Sequence, residues 1–238
     1  MLVEICVTSV QSALNAQIAG AHRIELCSEW AVGGITPSAG LIQQVLQRAH
    51  LPVGVLIRPR GGNFVYTEEE FQVMLSDIEF CKQLGVSGIV SGVLYNDQTV
   101  DIPRTRRLLQ AAAPLPFTFH RAFDQVPDAL QALLALEEIG VTRILTSGQQ
   151  LTAEKGLDLL VQLKNQSQTT TILPGGGIRA ENVFLFQQNG FTEIHASASG
   201  LYSEHLPPKI PLNNPKFLEE TQIYGSDIEK IKSIINSL

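Results

Sequence analysis

Short apolar, β-branched runs alternate along the chain with segments of helical period. Eight runs read as strands: Val3–Val7, Arg23–Leu26, Val53–Ile57, Gly88–Ser91, Phe117–His120, Arg143–Thr146, Thr171–Pro174 and Glu193–Ala196. Between them, Val10, Ala13, Leu14 and Ile18 share one helix face, as do Phe71, Met74, Leu75, Ile78 and Cys81. Thr67 stands three residues before Glu70, the spacing of a capping box. Pro127 suits a first helical position after the loop that holds Asp124. Gly20, Gly85, Gly140 and Gly190 stand where helices should stop.

Those four glycines mark an internal repeat. Each is followed four residues on by isoleucine: Ile24, Ile89, Ile144 and Ile194. The spacing is two strand–helix units each time, as in a barrel built of similar quarters. A doubly wound sheet is the competing architecture, and the repeat favours the barrel. It also sets a register, because side chains alternate faces along a strand. With the isoleucines facing the helices, Glu25, Val90, Leu145 and His195 point into the barrel. Cys27, Gly92, Ser147 and Ser197 follow one layer nearer the C-terminal mouth. The first two strands repeat each other: Glu4-Ile5-Cys6 matches Glu25-Leu26-Cys27. The expected fold is α/β, a single-domain (β/α)8 TIM barrel over residues 1–200. Residues 201–238 form a C-terminal irregular arm and a terminal helix packed on the barrel. Leu201–Tyr224 carries Pro207, Pro208, Pro211 and Pro215 and reads either as a lid over the mouth or as a surface arm. The last helix starts near Asp227, with Ile228, Ile231, Ile234 and Ile235.

Composition narrows the class. The 238 residues are 44% hydrophobic and 17% charged, enough for a real core. A net charge of -6 with no long basic run excludes the footprint of a nucleic-acid binder. No stretch has the length and apolarity of a membrane span, so no membrane partner is expected. The N-terminus lacks the pattern of a signal peptide, and three cysteines cannot all pair. The expected location is cytoplasmic, with reduced thiols.

Several residues could carry chemistry. Adjacent strands stand about 4.8 Å apart, so inward Cys6 and Cys27 could share one soft ion. They could equally be small buried hydrophobes, as Cys81 should be on its helix face. Arg58 and His120 end strands three and five, with Glu25 and His195 deeper. As an enzyme site, His120 would exchange a proton, Arg58 would clamp an anion and Glu25 would assist. Simple pairing of buried charges is the plainer account, and Glu4 reads as structural. His22, His50 and His205 read as surface or loop residues. Gly175, Gly176 and Gly177 follow strand seven and Ser197 follows strand eight, where barrels often hold a phosphate; a tight turn would also need glycine. No lysine ends a strand, which argues against a Schiff-base aldolase. The first strand lacks a His-x-His pair, and no nucleotide-binding loop is present.

The most specific text is Ile57-Arg58-Pro59-Arg60-Gly61-Gly62, then Phe119-His120-Arg121-Ala122-Phe123-Asp124, then Leu173-Pro174-Gly175-Gly176-Gly177-Ile178. With Glu25-Leu26-Cys27-Ser28 and Gly33-Gly34-Ile35-Thr36-Pro37-Ser38, this resembles the CutC family from Val3 to about Ser197. The resemblance implies a (β/α)8 barrel, a cytoplasmic home and homo-oligomers, a dimer or a tetramer. It also implies copper tolerance, since Cys6 and Cys27 fall where the family's proposed Cu(I)-binding cysteines lie. The leading expectation is a protein that binds Cu(I) and serves copper homeostasis. The alternative is a barrel enzyme acting on a small anionic or phosphorylated substrate.

Overall fold

The structure is a computed structural model describing residues 1–206, 209–210 and 221–238. Eight parallel strands follow chain order: β1 (Leu2–Val7), β2 (Arg23–Leu26), β3 (Val53–Leu56), β4 (Gly88–Ser91), β5 (Phe117–Phe119), β6 (Arg143–Thr146), β7 (Thr171–Pro174) and β8 (Glu193–Ala196). Each pairs with the next, β8 pairs with β1, and a bridge between Gly175 and His195 joins β7 to β8. The sheet is therefore an almost closed barrel. One helix follows each strand: α1 (Val10–Ile18), α2 (Ala39–Arg48), α3 (Glu68–Leu84), α4 (Ile102–Ala112), α5 (Ala129–Glu138), α6 (Leu157–Gln166), α7 (Ala180–Gln188) and α8 (Ile228–Asn236). Among the described residues no helix is long and apolar enough to cross a membrane.

Strand alternation divides the buried residues into two sets. Ile24, Ile89, Ile144 and Ile194 lie in the layer between strands and helices, none more than 1% exposed. Cys6, Cys27, Leu56 and Val90 form a separate small cluster inside the barrel. The register from the repeat thus holds within the strands, but Ser197, one residue past β8, is exposed and leaves the inward layer. All four repeat glycines sit in the left-handed region, at φ 88°, 83°, 90° and 72° in chain order, where any other residue would be strained. Thr67 and Glu70 close the capping box on α3, a device typically worth about 1 kcal/mol.

Two local expectations change. Asp128 caps α5 by accepting the Gln131 N–H, so Pro127 stands before the cap and not in the first turn. Ile18 is 64% exposed, because α1 instead buries the small residues Ser12, Ala13 and Ala16 against the barrel. The final helix, α8, takes its place in the ring of helices. It packs between α7 and α1 and brings Ile231 and Ile234 into the main core, so barrel packing continues past residue 200.

Between β8 and α8 runs an antiparallel ribbon, β9 (Ser199–Glu204) with β10 (Gln222–Ser226). Its base rests on α1, where Asn15 Nδ2 donates to the Ser226 carbonyl at 2.9 Å. Ser226 Oγ also donates to the Cys6 carbonyl at 3.2 Å. Pro207, Pro208, Pro211 and Pro215, on which the lid reading rested, lie outside the described residues.

Candidate functional site

The barrel interior is built in layers. At its base, β1 and β2 pair Glu4 with Arg23, and β1 and β8 pair Glu4 with His195. Arg23 bonds Glu4 through Nε and Glu193 through Nη2, the latter at 2.6 Å. Arg143 Nε meets the same Glu193 oxygen at 2.9 Å. His195 Nδ1 lies 2.7 Å from Glu4 Oε1 and 3.7 Å from Glu25 Oε2. Charges this deep persist only when matched. Burial alone would raise the Glu4 carboxyl, but the bond to His195, its charge and Arg23 bring it down to about 2. Burial would lower His195, yet the Cys6 sulfur within hydrogen-bonding reach and the two carboxylates hold it well above the usual imidazole range. Glu25 has no hydrogen bond to Oε2, and burial pushes it up to about 7 against the pull of His195. Glu4, Glu25 and His195 offer ligand atoms within 4.8 Å of one another, though Glu4 is already committed to Arg23 and His195.

One layer higher the chemistry turns soft. Cys6 and Cys27 bring their Sγ atoms to 3.5 Å, in hydrogen-bond contact, as the paired strands predict. Trp30 donates its indole Nε1–H to Cys6 Sγ at 3.2 Å. Leu56 and Val90 complete an apolar wall. The bond to Cys27, then burial, raises the Cys6 thiol well above its ordinary range. Cys81 is plain core in α3, its thiol pushed up to about 12 by burial.

The mouth above β3 to β5 differs from the sequence expectation. Arg58 is buried, and its Nη1 donates to the carbonyls of Val32 and Gly34, both at 2.7 Å, while Nη2 donates to that of Gly62, also at 2.7 Å. Three of its five N–H donors thus frame two loops, and the buried Nε has no hydrogen-bond partner. His120 Nδ1 accepts the Ala122 N–H at 3.2 Å and so caps the turn Arg121–Gln125. Burial and the Arg58 charge hold its pKa down at about 3. At neutral pH it is an uncharged ring carrying its proton on Nε2, poorly matched to proton exchange there.

Sequence reasoning passed over Arg121 and Asp124. The half-exposed Arg121 is fixed by Asp124 at 2.7 Å through Nε and by Ser147 Oγ at 2.8 Å through Nη2. Asp124 also accepts Thr146 Oγ1 and the N–H groups of Ser147 and Gln149, so one carboxylate shapes the loop after β6. The glycine run splits. Gly175 and Gly176 face inward: an added Cβ would lie 3.3 Å from His195 Cβ at Gly175 and 3.4 Å from Arg121 Nη1 at Gly176. Gly177 and exposed Ser197 instead line an outer cavity of about 480 Å³ with Arg179 and Lys230.

Together these features define a (β/α)8 barrel with a thiol pair set above a paired charge layer. The chain belongs to the CutC family, whose family description matches residues 1–200. A family protein CutC from Klebsiella pneumoniae (strain 342) is 47% identical over 244 residues, covering 99% of this chain and 98% of that protein. The crystal structure of CutC from Streptococcus agalactiae, a protein named for copper homeostasis, superposes with a TM-score of 0.78 at 34% identity. It matches 83% of this chain and 98% of its own. A sialic acid aldolase from Ruminococcus gnavus matches 83% of this chain and 68% of its own, at 12% identity and a TM-score of 0.60, and shows the shared barrel alone.

Proposed function

We propose that this barrel binds Cu(I) between Cys6 and Cys27 and contributes to copper homeostasis. The observation that carries the reading is the 3.5 Å approach of two buried thiols on adjacent strands. The donor set fits the ion: two soft sulfurs inside an apolar wall. Copper here is cargo. Each ligating thiol gives up its proton on binding, so uptake is coupled to proton release. The copper-homeostasis name of the S. agalactiae relative agrees with this chemistry. Under anaerobic reducing conditions, about one equivalent of Cu(I) should quench Trp30 emission. Unchanged stoichiometric binding in the Cys6→Ser, Cys27→Ser double variant would sink the assignment.

A second reading is favoured by a different observation. The pinned Arg121 guanidinium stands beside Gly176, and the adjacent Gly175 lies against His195. A barrel enzyme would use Arg121 and the Gly175–Gly176 backbone to hold a small carboxylate or phosphate. Glu25 and His195 would then move the proton, with His120 as an uncharged donor and Arg58 as frame. Crystals soaked in inorganic phosphate test it: density between Arg121 and Gly176 is the expected result, and an empty turn argues against the reading.

A further inference from the structure

The loop between β2 and α2 passes directly over the thiol pair. Gly34 lies in the left-handed region at φ 87°, and a Cβ there would stand 2.8 Å from Leu56 Cδ2 and 3.6 Å from Cys27 Sγ. Its backbone therefore rests on Cys27, in space that only glycine leaves free. Four residues earlier, half-buried Trp30 lays its indole against Cys6. One residue holds this loop down from the far side. Besides the two Nη1 bonds to Val32 and Gly34, the Arg58 N–H donates to Thr36 Oγ1, and the Thr36 N–H returns to the Arg58 carbonyl, both at 2.9 Å. Through Nη2 the same guanidinium ties in the neighbouring β3–α3 loop at Gly62. No carboxylate of the described residues lies within ion-pair distance of Arg58, so its buried charge is met by three neutral carbonyls and by the face of the Phe64 ring, 5.0 Å from the guanidinium carbon. That is a demanding arrangement, and only a planar fork satisfies carbonyls from two loops at once.

We infer that the Trp30 loop is a fitted cover over Cys6 and Cys27, latched by Arg58, which makes Arg58 a positioning residue for the thiol site. The purpose of the cover rests on the copper reading; its geometry does not. Closed, it keeps the sulfurs against Leu56, Val90 and the indole, away from water and competing ligands. The indole N–H on Cys6 Sγ supplies an outer hydrogen bond of the kind that orients and tunes a metal ligand. Loading and release then require the loop to lift.

The test is alkylation of the anaerobically reduced protein by iodoacetamide, read at each cysteine by peptide mass spectrometry. Cys81, 1% exposed in α3, reports loosening beyond the thiol site; because it lines a small cavity with Thr36 at the far end of the loop, the urea midpoint of each variant is read beside it as the measure of global stability. Trp30→Ala and Arg58→Met should each speed Cys6 labelling by about tenfold or more, as local opening without unfolding does, with Cys81 unchanged. Trp30→Phe, which keeps a ring over the sulfur, should restore slow labelling, and Arg58→Met should shift Trp30 emission to the red. Loaded with Cu(I), the Trp30→Ala and Arg58→Met proteins should surrender it faster to an excess of a Cu(I)-specific chelator. Cys6 labelling within about twofold of wild type in Trp30→Ala, or Cys81 rising in step in both variants, overturns the cover. If wild type takes up no Cu(I) while the labelling pattern appears, the copper reading falls and the cover stands.

Discussion

Two neighbouring layers of the barrel interior meet on β1 and β2 and behave oppositely. The lower layer joins Glu4, Arg23, Arg143, Glu193 and His195 in a connected set of ion pairs. The upper layer holds two thiols, two aliphatic side chains and an indole. Glu4 and Cys6 are two residues apart on β1, as are Glu25 and Cys27 on either side of Leu26. A buried group whose valences are all met by fixed partners is scaffold. A buried thiol pair held only by its own contact and one indole N–H is free to accept something else.

The contrast is broken most severely from below. Arg23→Met strips a partner from both Glu4 and Glu193 and should cost about 3–5 kcal/mol in urea unfolding, the usual result of orphaning a buried charge. Cys27→Ser in the upper layer should lose far less. The next effect depends on pH. His120 is held at about 3 when folded against 6.5 when free. Below pH 6.5 the unfolded chain takes a proton that the folded one refuses. Stability should therefore fall with pH through that window by up to about 1.4 kcal/mol per unit from this group. His120→Asn should flatten the slope, and an unchanged slope would show that the ring titrates normally. Gly34→Ala forces a side chain into the left-handed region against Leu56, and a loss of about 1–2 kcal/mol with altered Trp30 emission is expected. Thr67→Ala removes a cap far from both layers; about 1 kcal/mol with unchanged thiol reactivity would calibrate the others.

Much of this was legible in the chain. Strand alternation and the glycine–isoleucine repeat placed the eight strands and told inside from outside, because a one-residue slip would have turned every isoleucine inward. The same repeat contained the charge layer. Three residues after the glycines stand Arg23, Gly88, Arg143 and Glu193, on the inward parity. Extending the register down by one layer would have found it. Arg121 was hidden because its role depends on Ser147, contributed by the loop after the next strand. The roles of Arg58 and His120 could not be read from residue type. Whether a guanidinium meets an anion or a carbonyl, and whether an imidazole is charged, depends on desolvation and loop path. Trp30 was visible as a lone tryptophan near Cys27, but its bond to Cys6 belongs to the fold of a loop.

The ribbon has a consequence of another kind. Its two roots meet: the Asp227 N–H donates to the Ala198 carbonyl at 2.9 Å, and Ser199 pairs with Ser226. The two described strands of the ribbon leave and re-enter the ring at one point, between β8 and the helix that seals it. Such a junction works as a socket, where material can be exchanged without disturbing the barrel's circumference. The family description stops at residue 200, and the S. agalactiae chain is almost wholly matched by 83% of this one. The K. pneumoniae relative aligns over 99% of this chain. For protein engineering, the place to graft a reporter is the ribbon outside its Ser199–Ser226 root, since Ser226 itself bonds the Cys6 carbonyl and belongs to the frame of the thiol layer.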